Sequence, residues 1–207
     1  MSIKERKERE REEMRDLILH AASEIIRTEG ITNLSIRRIA TKIDYSPAII
    51  YHYFQDKDDL INYLMKESYQ KIIGSLASVL ASASEPTQKM RDMARNYIDM
   101  AIQMSDEYMT IMLSQSPRIL EHTSVLIEGA SSKRPAIGLL CQCLKETYLN
   151  IDDDLIELTA QAIWTATFGL IIRLIIEKDL ISDEQKEKLI EHHLKYITEG
   201  MIMGKEV

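Results

Sequence analysis

Residues 34–60 read LSIRRIATKIDYSPAIIYHYFQDKDDL. Ser35 is a good N-cap, and behind it Ile36, Ile39, Ala40 and Ile43 share one apolar helical face. Asp44 stands where the chain must turn, and Asp tolerates the left-handed conformation better than most non-glycine residues. Ser46 followed by Pro47 is an N-cap with proline at the first helical position. The helix that follows buries Ile50, Tyr53 and Phe54 and turns Ala48, Ile49, Tyr51 and His52 outward. Asp56, with Asp59 three residues on, opens a third helix as a capping-box-like pair. Two short helices, a tight turn between them and a longer helix after them make helix-turn-helix geometry. In that geometry the second helix enters the DNA major groove.

The order Ser35-Ile36-Arg37-Arg38-Ile39-Ala40, then Ser46, then Ile50-Tyr51-His52-Tyr53-Phe54, then Lys57 and Leu60, resembles the DNA-binding region of TetR-family transcriptional regulators. Asp44 and Ala48 stand where the family pattern usually has Gly, and Tyr45 where it usually has a smaller apolar residue. The resemblance implies a DNA-binding set of Ser35, Arg37, Arg38, Tyr45, Ser46, Pro47, Ala48, Ile49, Tyr51, His52 and Lys57. Within it, Arg37 is expected to reach the operator, and Tyr51 and Lys57 to contact phosphate. The residues supply a reason of their own. Arg37, Arg38 and Lys57 sit in first turns, where the helix dipole disfavours cations, so an anion such as DNA phosphate should lie nearby. The plainer alternative is that the arginines are ordinary surface charges and that Tyr51 and His52 pack the three helices together.

The composition fits this reading. With 207 residues, 45% of them hydrophobic, and only 7 Gly and 4 Pro, the chain is expected to be all-α, as one compact unit or two small ones. The net charge of -7 runs against nucleic-acid binding, but from Arg27 to Lys57 the cations outnumber the anions five to three, and phosphate contact depends on the local patch. The N-terminus is charged rather than apolar, and the two cysteines are separated by a single residue; both point to a reduced, cytoplasmic compartment. The apolar run 155–176 contains Glu157, Gln161 and Arg173, which reads as a buried helix rather than a membrane span.

A first helix is expected from about Lys4 to Glu29, ending at Gly30. Its start, KERKEREREE, alternates charges at helical spacing: it is either a solvated extension or an arm that touches the DNA backbone or minor groove. The third helix of the opening region continues to about Ala83, and Ser84-Glu85-Pro86-Thr87 breaks it. Residues 1–55 form the expected DNA-binding domain, and residues 56–207 a helical effector-binding and dimerisation domain. Helices are expected there at Thr87–Ser105, Glu107–Gln115, Pro117–Glu128, Pro135–Leu149, Asp152–Lys178 and Ser182–Met203, with a loop at Gly129–Pro135. Asp152 and Ser182 are the expected caps, Ser182 in a capping box with Gln185.

The second half is rich in methionine, which fits irregular apolar cavities but more often simply fills a core. Trp164-Thr165-Ala166-Thr167-Phe168-Gly169 is similar to the Trp-x-x-x-His-Gly signature of one TetR-like C-terminal subclass, with Phe168 in place of His. Met100, Met104, Tyr108, Met112, Trp164 and Phe168 are the candidate lining of a pocket for an apolar effector. Cys141 and Cys143 point about 200° apart on a helix, which suits neither one metal nor an ordinary bridge. His122, His192 and His193 lie far off in sequence, so no metal or cofactor is expected. No phosphate loop or nucleophile motif suggests an enzyme. The expectation is a DNA-binding regulator, a repressor by type, that dimerises through its last two helices and answers to a small molecule. Its rival is a helical interaction module that has lost DNA binding.

Overall fold

The computed structural model describes residues 2–148 and 151–200. Eleven α-helices follow one another among them: α1 Ile3–Glu29, α2 Ile36–Lys42, α3 Pro47–Tyr51, α4 Lys57–Leu80, α5 Pro86–Gln103, α6 Ser105–Met112, α7 Pro117–Thr123, α8 Ala130–Lys133, α9 Pro135–Thr147, α10 Asp153–Ile176 and α11 Asp183–Lys195. A 3₁₀ turn, Ile31–Asn33, joins α1 to α2, and a π-helical turn, Tyr196–Gly200, continues α11. No strand occurs among the described residues, so the all-α expectation holds. The expected helix ends at Leu149 and Met203 lie outside the described residues.

The chain forms two compact units. The first comprises residues 1–69 and 106–121, the second residues 70–105 and 122–207. This division differs from the expected segments: it falls inside α4 rather than at 55/56 or at Ser84–Thr87, and it places α6 with α1, α2 and α3. The cause is packing. The core of the first unit gathers Ile18, Ala22, Ile25 and Ile26 of α1, Ile39 and Ala40 of α2, Ile50 of α3, and Leu60, Ile61 and Leu64 of α4, with Ile111 of α6 against them.

In the second unit α5, α9, α10 and α11 pack around one another. Met90, Met93, Tyr97, Ile98 and Ala101 form the buried stripe of α5. Arg95 donates to Glu187 and Glu191 of α11 as well as to Asp99, and this carboxylate cluster holds the guanidinium pKa above its ordinary value. The Glu187 carboxyl is in turn held below its ordinary range, first by its hydrogen bond from Arg95.

Two of the expected boundaries are corrected here. The helix from Pro117 ends at Thr123, and the expected loop 129–135 contains the four-residue α8. Both follow from Glu157 and Gln161, one turn apart on α10. The Glu157 carboxylate accepts from the backbone N–H groups of Gly129 (2.8 Å), Ala130 (3.1 Å) and Ser131 (2.9 Å), and from the Ser131 hydroxyl. It thereby satisfies the N-terminus of α8. Gln161 donates to the carbonyls of Val125 and Ile127, which holds that stretch out of helix. Gly138 completes the arrangement: a Cβ there would stand 2.7 Å from the Ser131 carbonyl oxygen.

The α10 helix is long and apolar enough, by length and composition alone, to cross a membrane. Its buried residues Ile156, Ala160, Ile163, Thr167, Ile171 and Leu174 instead face the neighbouring helices of the second unit.

Candidate functional site

The helix-turn-helix forms as its local chemistry directs. The Ser35 hydroxyl accepts from the Arg38 N–H at 3.2 Å and caps α2. Ile36, Ile39 and Ala40 are buried and Ile43 half-buried. Asp44 turns the chain with φ 59°, the left-handed conformation anticipated for it. Ser46 holds the N-cap position of α3 with Pro47 next, but its hydroxyl makes no capping hydrogen bond. Asp56 accepts from the Asp59 N–H at 2.7 Å, and Asp59 accepts from the Gln55 N–H at 2.9 Å, a reciprocal pair displaced by one residue from an ordinary capping box. Ile50 and Phe54, both fully buried, anchor the recognition helix. Tyr53 is only half-buried.

Anchored this way, α3 presents Tyr45, Ser46, Pro47, Ala48, Tyr51 and His52 as exposed residues. Tyr51 is 57% exposed, a large exposure for an aromatic side chain and one a packing role would not leave. Ile49 departs from the expectation: it is half-buried and turns only part of its side chain outward.

The cations divide. Arg38 pairs with Glu29 and donates to Asn33 Oδ1 at 3.3 Å, and Lys42 pairs with Glu24 at 3.2 Å. For Arg38, then, the anion that offsets its place in a first turn is Glu29 of the same chain. Lys57 donates to the Ile31 carbonyl at 3.3 Å, closing the start of α4 onto the 3₁₀ turn. Arg37 is exposed and has no ion pair among the described residues. Arg37 and Lys57, unlike Arg38 and Lys42, have no carboxylate partner among the described residues.

An apolar cavity of about 30 Å³ lies in the second unit. Its lining includes Leu76 of α4, Met90, Met93 and Tyr97 of α5, Leu140 of α9, and Trp164 and Thr167 of α10. Of the six expected pocket residues only Trp164 takes part. Met100, Met104 and Phe168 belong to the same unit but not to the lining; Tyr108 and Met112 belong to the other unit. The rows that do line it were legible as periodicity: Met90, Met93 and Tyr97 fall three and four residues apart on α5. The Tyr97 and Trp164 rings are in contact, tilted by 34° with centroids 4.5 Å apart. No lining side chain carries a formal charge.

Behind the cavity wall, Thr167 gives its hydroxyl proton to the Ile163 carbonyl at 2.8 Å. His193 Nε2, 2.9 Å from the same oxygen, is therefore the donor to it. Burial lowers the His193 pKa. Cys141 and Cys143 are buried and unbridged, and burial, first among the causes, pushes both thiols up to about 11. At neutral pH they are thiols rather than reactive thiolates.

Residues 18–64 match the profile of the tetR family of bacterial regulatory proteins. No curated protein matches the chain. Solved structures share its fold. The fatty acid degradation regulator FadR from Bacillus halodurans is 17% identical with a TM-score of 0.70, over 91% of this chain and 96% of that one. Thermus thermophilus FadR, a TetR-family repressor solved in complex with lauroyl-CoA, is 18% identical with a TM-score of 0.65, over 93% and 97%. A TetR-like transcriptional regulator from Rhodococcus sp. RHA1 is 18% identical with a TM-score of 0.64, over 89% and 95%.

Proposed function

We propose that this chain, which belongs to the TetR family of bacterial regulatory proteins through its N-terminal region, is a transcriptional repressor that binds its operator as a homodimer and leaves it when an apolar or amphipathic small molecule fills the cavity beside Trp164. The observation that carries the DNA-binding part is α3 itself, fixed from below by Ile50 and Phe54 and showing Tyr51, His52 and Ala48 to solvent, with Arg37 unpaired. Arg37, Ser46 and Tyr51 are the residues best placed for phosphate and base edges. The Ser35 hydroxyl oxygen accepts the capping bond of α2, which leaves its O–H to donate to a phosphate. Lys57, held by one hydrogen bond to the Ile31 carbonyl, keeps further ammonium N–H donors for phosphate.

Dimerisation is supported by α10. Leu155, Leu158, Ala162, Thr165, Gly169, Ile172 and Ile176 recur at three- and four-residue steps. All are exposed except Ile172, which is half-buried. Such a row is a coiled-coil-like seam that one chain leaves uncovered. Small residues at its centre allow close approach, and a Cβ at Gly169 would meet nothing within 4 Å.

Effector release follows from what lines the cavity. Its present volume is too small for a drug-sized molecule, but Met90 and Met93 are unbranched and can re-pack around one. Leu76, in the wall, belongs to the same continuous helix as Lys57, so a ligand that displaces Leu76 acts on the helix that follows α3. The uncharged lining suits an acyl chain or another apolar group, and any phosphates of such a ligand would have to stay outside.

The test is a pair of variants titrated against labelled duplex DNA. Tyr51→Phe and Arg37→Ala should lower affinity while leaving helix content and unfolding temperature unchanged. Phosphate contacts act on all sequences alike, so a loss confined to phosphate should appear on specific and random DNA together. Wild-type affinity in both variants would remove α3 from the interface.

A further inference from the structure

The first three turns of α1 stand clear of the core, and their charges are sorted. On a helical wheel at about 100° per residue, Lys4, Lys7, Arg11 and Arg15 fall within about 80° of one another. Glu5, Glu8 and Glu12 fall together on the adjoining side, with Glu8 bordering the basic stripe. Off the stripe, Arg6 pairs with Glu10 and Arg9 with Glu13, each at 3.3 Å. On it, Arg15 is occupied, lying 5.3 Å from the centre of the Tyr63 ring. Lys4, Lys7 and Arg11 are exposed and make no ion pair among the described residues.

The direction of the stripe matters more than its charge. The same angular range, continued down α1, holds Ile18, Ala22 and Ile25, all buried against α2, α3 and α4. The line that faces the helix-turn-helix inside the unit therefore becomes a line of cations where α1 runs past it. Ser2 and Glu5 fix this segment as helix through a reciprocal capping box. In a chain of net charge -7, three unpaired cations in register on the helix-turn-helix side are not a sample of a generally basic surface.

We infer that Lys4, Lys7 and Arg11 form a second DNA-contact surface, which grips phosphates flanking the segment read by α3. The inference rests on the regulator reading above and adds to it a longer footprint on the duplex. Its contacts are to the backbone, so they strengthen binding to any sequence and contribute steeply to salt dependence.

The test needs no known operator. A 40-base-pair duplex of mixed sequence is titrated with the wild-type chain and with the triple variant Lys4→Gln, Lys7→Gln, Arg11→Gln across a range of salt. Gln keeps the helix, and circular dichroism checks that it does. Removing three phosphate contacts should flatten the slope of log affinity against log salt by about 3 for each bound chain. The matched variant Glu5→Gln, Glu8→Gln, Glu12→Gln should keep the slope. An unchanged slope in the basic-stripe variant, beside normal wild-type binding, overturns the second surface and leaves the regulator reading standing. A wild-type chain that binds no duplex, or that binds phosphatidylglycerol vesicles instead, overturns both.

Discussion

One methyl group is a sharp probe of the second unit. Gly138→Ala would drive a Cβ against the Ser131 carbonyl oxygen, a backbone atom that cannot rotate away. The substitution should destabilise the chain by about 1–3 kcal/mol, read as a lower denaturant midpoint at constant slope. His193 gives a second residue-level test. Its folded pKa lies below the 6.5 of a free imidazole because of burial, so the unfolded chain takes up the proton first as pH falls. The stability present above about pH 6.5 should decline below that value and level off beneath the folded pKa. His193→Gln, whose amide can still donate to Thr167, should flatten the melting-temperature profile on the acid side of about pH 6.5 relative to wild type. A parallel profile in the variant would assign the pH response to other groups. Which residue features were legible in the sequence depended on their reach. The left-handed Asp44 and the Ser35 cap are chemistry within a few residues and were readable. The Arg38–Glu29 pair spans the break at Gly30, and Lys57 reaches back 26 residues to Ile31, so neither could be read from local pattern.

Among the elements, α10 is the most informative. Its sequence is apolar nearly all round, which one chain's core cannot use up. The structure sorts that surplus into one buried side and the exposed row from Leu155 to Ile176. A charge at the centre of the row should split the dimer without disturbing the fold, since nothing in the chain touches a side chain built at Gly169. Gly169→Glu is therefore expected to sediment as a monomer at micromolar concentration where the wild type is a dimer, with unchanged helix content. A wild-type monomer would refute the seam. The small α8 shows the opposite case. Four residues have no periodicity to read, and their cap, Glu157, arrives from 26–28 residues away. The pocket row on α5 lies between these extremes: its spacing was visible, but spacing alone cannot tell a cavity wall from a filled core.

At the scale of the whole molecule, a total charge of -7 repels DNA, while Arg37 and the α1 cations Lys4, Lys7 and Arg11 make no ion pair among the described residues. Binding should therefore be unusually sensitive to salt for so acidic a chain. Ligand release belongs to this scale too. A compound that enters beside Trp164 should change the fluorescence of this single tryptophan and lower DNA affinity about 5–150-fold, the range of a 1–3 kcal/mol coupling. It can do so only by binding the DNA-free form more tightly. Compounds that quench without releasing DNA would separate the cavity from regulation.

The most direct test of the central claim is selection of preferred sites from a pool of random duplexes by the purified wild-type chain. Two α3 helices related by the two-fold axis of a dimer should enrich a two-fold symmetric sequence, its half-site centres about 34–36 Å apart or a multiple of that spacing. Tyr51→Phe should enrich it more weakly. A pool that stays random through repeated rounds, with the protein folded and dimeric, would contradict the account and leave the chain as a helical interaction module.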